Sequence, residues 1–299
     1  MQVRVSRVRR PRTMDESTTL DAIFQRAVSA IDAGDVRDLE QLVAINPRLV
    51  RERLNAPGAW LRDKVGSALD GFFQRPYLLW FVAEDPVRNG RLPGNIADVT
   101  RMIVRAAERE GVETLPQQID YALRLVSWSW IARDCHVQIA LIDVLIDAGA
   151  ALDRNAENAL VNGNFAAAEH LVARGAPVSL ATALCLGRWD DVRRLGPMVS
   201  AEDKQFGLVL AALKGRADAL TKVIDLGVDL NVPCTSLYSH ATALHHAVYS
   251  GSLDAVKVLV EAGADLDTKD TIYEGTPLGW AEYGKQVEIA EFLREKGAR

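Results

Sequence analysis

The sequence predicts an all-α fold in which about eight helix pairs stack into a solenoid. Three observations support this prediction. Apolar residues recur at the spacing of one helix face, glycines recur after each predicted second helix, and two short helices cannot bury so wide an apolar face without a neighbouring pair. Hydrophobic residues make up 48% and charged residues 25% of the chain, as in ordinary globular proteins.

The glycines that end the predicted units set the length of the repeat. They lie in steps of 26, 52, 36 and 34 residues, at Gly149, Gly175, Gly227, Gly263 and Gly297. Because 52 is twice 26, a further unit is expected inside the second step, with its internal turn at Gly187. The short central units have room for two helices and little else, whereas the longer C-terminal units also have room for a projecting loop.

The N-terminal units are interpreted from their apolar positions and turn residues. The first pair covers residues 20–50 and turns at Gly34, and the second covers 76–111. The third pair uses residues 119–131 and 137–148. These units follow the glycine spacing less closely than the later ones, so the N-terminal half is predicted to diverge from the repeat.

The domain organisation follows from this gradient of regularity. Residues 20–299 are predicted to form a single solenoid, divergent over 20–116, with short repeats over 117–204 and regular repeats over 205–299. The segment 54–75 gives a poor signal, and residues 65–73 within it are interpreted as either a short helix or an extended finger. A unit rich in charged side chains at the C-terminus is expected to cap the stack.

Residues 1–19 are predicted to form a basic, disordered tail. No acidic residue precedes Asp15, and the arginines are Arg4, Arg7, Arg9, Arg10 and Arg12. The whole chain nevertheless has a net charge of −5, which argues against nucleic acid as the main partner. Binding of nucleic acid through the tail is the weaker reading.

Cysteine usage and hydropathy bear on the compartment. The three cysteines are odd in number and widely spaced, which is typical of a reducing compartment and not of a disulfide framework. No apolar run is long enough to cross a membrane. The expectation is a cytoplasmic monomer with no membrane partner.

Two C-terminal motifs resemble the ankyrin repeat family. TALHHA at residues 242–247, followed by GSLDAVKVLVEAGADLD, is close to the family pattern of Thr-Pro-Leu-His-x-Ala, glycine, a leucine-rich helix and Gly-Ala-Asp. TPLGWA at 276–281 repeats the motif, with Gly279 in place of histidine. The resemblance implies that first helices line a concave face, that loops project from one edge, and that the histidine at position 245 is structural. It also implies protein binding, although a fold does not determine a function.

The resemblance places a row of side chains on the concave face. One residue after the motif histidine, His246 is expected to face the groove, together with Tyr249 and Ser250. Trp280 and Tyr283 are their counterparts in the next unit. Lys214 is a counterpart one unit earlier. Aromatic side chains on adjacent units suit a binding surface because they offer a large contact area with few rotors. The alternative is that they pack beneath the neighbouring loops.

Two loops are predicted to project, over residues 232–240 and 268–275. Tyr238, His240 and Tyr273 lie near their tips and are candidate contacts for a partner. The alternative is that the tyrosines fold back onto each other.

A second hypothesis is an enzyme or small-molecule binder with a noncanonical pocket between the divergent N-terminal repeats and the regular ones. Its predicted wall is Trp80, Trp128, Trp130, Asp134 and His136. Core packing is the alternative for these residues.

The sequence shows no further pattern of metal-binding, phosphate-binding or catalytic residues. Cys234, His240 and His246 match no zinc-binding spacing, and no phosphate loop or catalytic triad pattern is present. We therefore assign no catalytic residue, metal ligand or cofactor. The first hypothesis is a non-enzymatic module that binds a partner protein through its concave face and projecting loops.

Overall fold

The structure is a computed structural model that describes residues 19–299. The described chain is entirely helical and contains no β-strand, in agreement with the predicted fold class. The predicted basic tail lies outside the described residues, apart from Thr19, whose hydroxyl caps the first helix by accepting the N–H of Ala22.

Eight α-helices occupy the N-terminal half of the described chain. They are α1 (Leu20–Ala33), α2 (Val36–Ile45), α3 (Arg48–Arg51), α4 (Ala59–Val65), α5 (Ile96–Arg109), α6 (Leu115–Trp128), α7 (Trp130–Asp134) and α8 (Gln138–Asp147). Two 3-10 helices, Gly66–Asp70 and Leu78–Ala83, lie between α4 and α5. Residues 65–73, predicted to be a short helix or an extended finger, therefore contain the end of α4, a 3-10 helix and a turn.

Ten further α-helices follow, in pairs on either side of a short turn. They are α9 (Asn155–Val161), α10 (Phe165–Ala173), α11 (Leu180–Cys185), α12 (Trp189–Leu195), α13 (Ala201–Leu213), α14 (Ala217–Ile224), α15 (Ala243–Ser250), α16 (Leu253–Glu261), α17 (Pro277–Tyr283) and α18 (Val287–Glu295). Helices α11 and α12 flank Gly187, where the spacing of the glycines predicted a unit.

The turns explain why the glycine spacing was informative. All the glycines used to set the repeat have positive φ, including Gly187 at +68° and Gly251 at +75°. This left-handed conformation is inexpensive for glycine and closes a helix by pairing its last carbonyls. At Gly251, for example, the backbone N–H donates to the carbonyl of Val248 at the end of α15.

Contacts divide the described chain into two compact units. The first comprises the described residues through Val126 together with Ile131–Ala150, and the second comprises Ser127–Trp130 and Ala151–Arg299. The predicted domain limits, the single continuous solenoid and the number of repeats stay predictions.

An aromatic cluster forms the core of the first unit. Trp80 lies within the 3-10 helix Leu78–Ala83, with its ring centroid 4.3 Å from that of Tyr121 and 5.4 Å from that of Tyr77. All six side chains of this 3-10 helix are buried. The expected first α-helix of the second pair is therefore replaced by a 3-10 turn, since the segment has no polar face and two nearby prolines limit its length.

In the second unit, successive first helices pack against one another. Contacts run from α9 to α11, α13, α15 and α17 in turn, while α14, α16 and α18 pack in a second row. Each first helix also packs against its own second helix, as between α15 and α16. Apolar side chains fill the space between the rows, among them Leu244, Val248 and Leu259, each at most 1% exposed. Within the described residues, no helix is both long and apolar enough to cross a membrane.

Candidate functional site

The second unit carries a cleft lined by exposed aromatic side chains. Its volume is about 660 Å³, within the range of about 300–1,000 Å³ common for ligand pockets. Its lining residues come from α15, α17 and the loops beside α17: Tyr249, Tyr273, Gly275, Gly279, Trp280, Tyr283, Gly284 and Gln286. The cleft therefore brings together four aromatic residues that were predicted to contact a partner.

The tyrosines of the cleft are held open to solvent. Tyr249 is 69% exposed, Tyr273 75% and Tyr283 93%, whereas Trp280 is half-buried between them. Large aromatic side chains are seldom this exposed without a reason, because covering them with apolar surface is favourable. Their convergence on one cleft makes it the strongest candidate binding surface in the second unit.

The buried carboxylate of Asp270 holds the loop before α17. Its Oδ1 accepts the backbone N–H groups of Ile272 at 2.9 Å and Tyr273 at 2.7 Å. Its Oδ2 accepts the N–H of Gly275 at 2.9 Å and the indole N–H of Trp280 at 2.9 Å. One side chain thus places both the loop and the central ring of the cleft.

These hydrogen bonds control the ionisation of Asp270. Burial alone would raise its pKa, since the charged form loses hydration. The N–H of Tyr273, the indole of Trp280 and the other two amides outweigh that cost and lower the pKa to about 2. The carboxylate is therefore ionised at neutral pH, at the edge of the indole ring that carries the N–H.

The motif histidine fastens α15 to the following loop. The Nδ1 atom of His245 lies 2.8 Å from the hydroxyl of Thr242, and its Nε2 lies 3.0 Å from the carbonyl of Gly275. The ring also packs edge-on against Trp280, with 5.1 Å between centroids. Burial lowers the pKa of His245 and favours the neutral ring. This confirms the structural role that the resemblance implied.

His246 does not face an open groove, and that expectation was wrong. Its side chain is 3% exposed because the loop over residues 232–241 covers it. Its ring centroid lies 5.8 Å from that of Tyr238, 6.1 Å from that of His240 and 6.3 Å from that of Trp280. Its Nε2 atom is buried without a hydrogen-bond partner. Burial is the main reason that the pKa of His246 is lowered to about 4.

The two predicted fingers contact each other instead of projecting separately. The backbone N–H of Thr271 donates to the carbonyl of His240 at 2.9 Å. The His240 ring stacks on Trp280 with 6.0 Å between centroids, while Tyr238 packs against the two histidine rings and stays 49% exposed. Of the three residues predicted at the tips, Tyr273 lies in the aromatic cleft.

Two polar residues of the predicted concave face, Ser250 and Lys214, make hydrogen bonds to the backbone. The hydroxyl of Ser250 donates to the carbonyl of Ala247 at 2.7 Å. The ammonium of Lys214 donates to the carbonyl of Val161 at 2.7 Å, at the end of α9, and burial lowers its pKa. Neither residue lines the aromatic cleft.

The residues of the alternative pocket differ in their surroundings. Trp80 is buried in the first unit, and its indole N–H donates to the carbonyl of Gln118 at 3.2 Å. Asp134 and His136 are exposed residues of the same unit. Trp128 is half-buried, Trp130 is 50% exposed, and both belong to the second unit. Trp80 therefore packs as core, as the alternative for this group proposed.

Among residues 19–299, no group of three or more histidine, cysteine, aspartate or glutamate side chains is arranged to hold a metal ion. Cys234, His240 and His246 are thus not a metal site in the described chain. All three cysteines are free thiols.

Three features of the cleft escaped sequence interpretation. Asp270 was not singled out, and Gln286 was interpreted only as part of the polar capping unit, because loop residues carry no periodic signal. Gly279 was recognised only as a departure from the histidine of the motif. A side chain there would cover the floor of the cleft, so the departure itself was the available signal.

A family model matches the C-terminal third of the chain, and one relative matches part of the chain. Residues 197–299 match the family model for ankyrin repeats (3 copies). Over 92 residues the chain is 30% identical to serine/threonine-protein kinase 12 of Arabidopsis thaliana. The matched segment is 31% of this chain and spans only 19% of that kinase. The family match confirms the resemblance drawn from the motifs at residues 242 and 276.

Proposed function

We propose that this chain, whose residues 197–299 are ankyrin repeats, is a non-enzymatic module that binds another protein through its aromatic cleft. Ankyrin repeats are generally protein–protein interaction modules. The observation that carries the proposal is the convergence of Tyr249, Tyr273 and Tyr283, all strongly exposed, on one cleft beside Trp280. Aromatic residues of this kind dominate the binding energy of many interfaces.

The cleft is prepared for binding before a partner arrives. Asp270 fixes the loop, and His245 fixes that loop to α15, through hydrogen bonds that the unbound chain already makes. A rigid surface loses little conformational entropy on association, so more of the contact energy appears as affinity. Tyr249 and the residues of α17 lie on first helices, which ankyrin proteins turn toward their concave face.

A photo-crosslinking experiment tests this proposal. The full chain is expressed in its native cell with benzoylphenylalanine in place of Tyr249, and crosslinked proteins are identified by mass spectrometry. Met198, which is 80% exposed and does not line the cleft, is the matched control position. We expect a discrete partner to crosslink at position 249 and not at 198.

A double variant, Tyr249→Ala with Tyr283→Ala, completes the test. Both side chains are mostly exposed, so the variant should keep the helicity and melting temperature of the wild type. It should lose the partner that crosslinks at position 249. Undiminished capture by the folded double variant would reject the cleft as the binding surface. Trp280 is unsuitable for this purpose because it also anchors Asp270.

A further inference from the structure

The aromatic cleft has features that select the chemistry of its occupant. We propose that it takes an arginine-bearing, basic segment of the partner protein, with a guanidinium lying among the tyrosine rings. This inference rests on the proposed function and adds the class of partner. Ring faces, local charge and an unused hydrogen-bond acceptor each point to it.

The ring faces of the cleft have no cation of their own. Elsewhere in the described chain, arginine and lysine side chains cover aromatic rings, as Arg53 covers Tyr77 with 4.3 Å between the guanidinium carbon and the ring centroid. Within residues 19–299, no such contact involves the four aromatic residues of the cleft. Exposed tyrosine and tryptophan faces attract cations through the ring quadrupole.

The C-terminal repeats that carry the cleft have an excess of acidic side chains, which favours a positive guest. From residue 240 to the C-terminus there are ten acidic and six basic side chains, a formal net charge of −4. Asp270 is ionised and hydrogen-bonded to the indole N–H at the edge of Trp280. Glu274, next to Tyr273, is exposed and makes no ion pair within the described part of the chain. An acidic or phosphorylated segment, or a nucleic acid, would meet repulsion here.

Gln286 distinguishes arginine from lysine. This half-buried residue lines the cleft, and its Oε1 atom is buried without a hydrogen-bond partner. A buried acceptor without a donor costs free energy, and a guest that supplies an N–H removes that cost. A guanidinium has five donors on a flat frame that stacks on aromatic rings, whereas the lysine ammonium is a compact, strongly hydrated charge. A rotation of the terminal amide would present this oxygen to the guest.

Fluorescence anisotropy with short labelled peptides tests the inference on the full chain. The probes alternate glycine with arginine, lysine or citrulline, the last of which keeps the planar shape of arginine and loses its charge. We expect the arginine peptide to bind most tightly, with citrulline weakening binding about tenfold or more and lysine weakening it less. Added salt should weaken the arginine and lysine peptides alike and leave the uncharged citrulline peptide nearly unaffected.

Variants assign that selectivity to the cleft. Tyr249→Ala with Tyr283→Ala should weaken the arginine peptide about tenfold, whereas Met198→Ala should leave its affinity unchanged. Gln286→Glu should tighten the arginine peptide more than the lysine peptide, because a carboxylate pairs bidentately with a guanidinium.

Several results would overturn the proposal. Equal affinity for the arginine and citrulline peptides would do so, as would arginine binding that the double tyrosine variant retains. If that variant instead dissociates a dimer of the wild type in analytical ultracentrifugation, the occupant is a second copy of this chain. If deletion of residues 1–18 tightens the arginine peptide about tenfold, the occupant is the chain's own arginine-rich segment, and a partner's segment is rejected.

The two proposals fail separately. Position-specific crosslinking at Tyr249 without any preference for arginine peptides would keep the protein-binding function and reject the arginine inference. Loss of position-specific crosslinking would reject the binding function itself.

Discussion

The indole N–H of Trp280 donates to the carboxylate of Asp270 over 2.9 Å, so the central ring of the cleft and the anchor of its loop are a single hydrogen-bonded pair. The carboxylate oxygens of Asp270 also accept hydrogen bonds from three backbone N–H groups of the same loop. A buried carboxylate with this many donors is strongly ionised and strongly positioned. The shape of the cleft therefore depends on a residue that does not line it.

We predict that Asp270→Ala destabilises the second unit by about 2–4 kcal/mol, since it strands partly buried N–H donors in addition to removing a charge-assisted network. Thermal unfolding followed by circular dichroism measures the loss. Glu291→Ala is the matched control, because Glu291 is an exposed helical carboxylate, and it should change stability by less than about 0.5 kcal/mol. Equal effects of the two substitutions would contradict the anchoring role.

The lowered pKa of Asp270 predicts an acid-sensitive contribution to stability. A carboxyl whose folded pKa lies below its unfolded value stabilises the folded state above the unfolded value and loses that contribution as pH falls. From 3.8 to about 2, the contribution is about 2 kcal/mol at neutral pH, and it disappears between about pH 4 and pH 2. When unfolding by urea is measured across this range, the free energy of unfolding should change less with pH in Asp270→Asn than in the wild type. An unchanged slope would show that Asp270 titrates normally.

His246 predicts a second, higher pH window. Its pKa is lowered by burial from 6.5 to about 4, so the folded state binds the proton less well than the unfolded state does. Above about pH 6.5 the ring is neutral in both states and costs nothing. As pH falls from about 6.5 to about 4 only the unfolded state gains the proton, so the folded state is progressively destabilised. The pKa shift from 6.5 to about 4 corresponds to a loss of about 3 kcal/mol across this interval. We expect His246→Leu to remove most of that loss.

The control for this prediction is the removal of a histidine whose ring is exposed and not buried. His136→Gln removes an exposed histidine of the first unit and should leave the slope between about pH 6.5 and pH 4 in place. His245 also has a pKa lowered by burial, so some slope should remain in His246→Leu. If the free energy of unfolding of His246→Leu changes with pH as much as that of the wild type, burial of His246 does not make the protein acid-sensitive.

The pH ranges in which stability changes could not have been predicted from the sequence, although much of the fold could. Glycines that recur along the chain mark helix ends, because a left-handed cap favours one residue type. The step of 52 residues, twice 26, and Gly187 within it were enough to locate a whole helix pair. The aromatic row was equally readable, because Tyr249, Trp280 and Tyr283 occupy related positions in consecutive motifs. Both predictions depend on local periodicity.

Features that depend on loops were not readable in this way. His246 occupies a motif position that would face a groove, but the loop over residues 232–241 folds across it. Asp270 collects donors from residues close in sequence, yet no period marks it as an anchor. In the first unit, Trp80 looked like a pocket wall because its 3-10 segment has no helical period to show that every side chain is buried.

Two glycines of the cleft predict opposite responses to alanine. At Gly275 an added Cβ would lie 2.9 Å from Cδ1 of Trp280 and 3.0 Å from Oδ2 of Asp270, too close for either to remain in place. At Gly279 the nearest heavy atom is 3.6 Å away. We expect Gly275→Ala to lower stability by about 1–3 kcal/mol. Gly279→Ala should leave stability unchanged or raise it by up to about 1 kcal/mol, since alanine favours the helix.

The same two alanine variants distinguish an effect on the shape of the cleft from an effect on the stability of the fold. Gly279→Ala adds a methyl group to the floor, so it should weaken partner capture while the melting temperature is kept or increased. Capture by Gly279→Ala at the wild-type level would place the bound segment away from this floor. A fully stable Gly275→Ala would show that Trp280 is not tightly positioned.

The first unit contains a buried ion network whose removal should be costly. Arg88, whose side chain is 2% exposed, donates from Nη1 to both oxygens of Asp32 at 2.8 and 3.1 Å, and from Nη2 to the carbonyl of Phe81 at 2.8 Å. Its Nη2 also lies 2.9 Å from Oε2 of Glu84, an ion pair outside hydrogen-bond geometry, and the Glu84 side chain is fully buried. Removing one partner leaves an uncompensated buried charge.

Arg88→Ala should therefore destabilise the first unit by about 3–5 kcal/mol, measured by chemical unfolding of the full chain. The matched control is Arg101→Ala, because Arg101 pairs with Asp98 at 2.5 Å with both side chains largely exposed, and such pairs contribute about 0–1 kcal/mol. The paired variant Arg88→Met with Glu84→Gln should recover part of the loss, since it removes both charges together. Full stability in Arg88→Ala would mean that Glu84 becomes protonated or rehydrated at little cost.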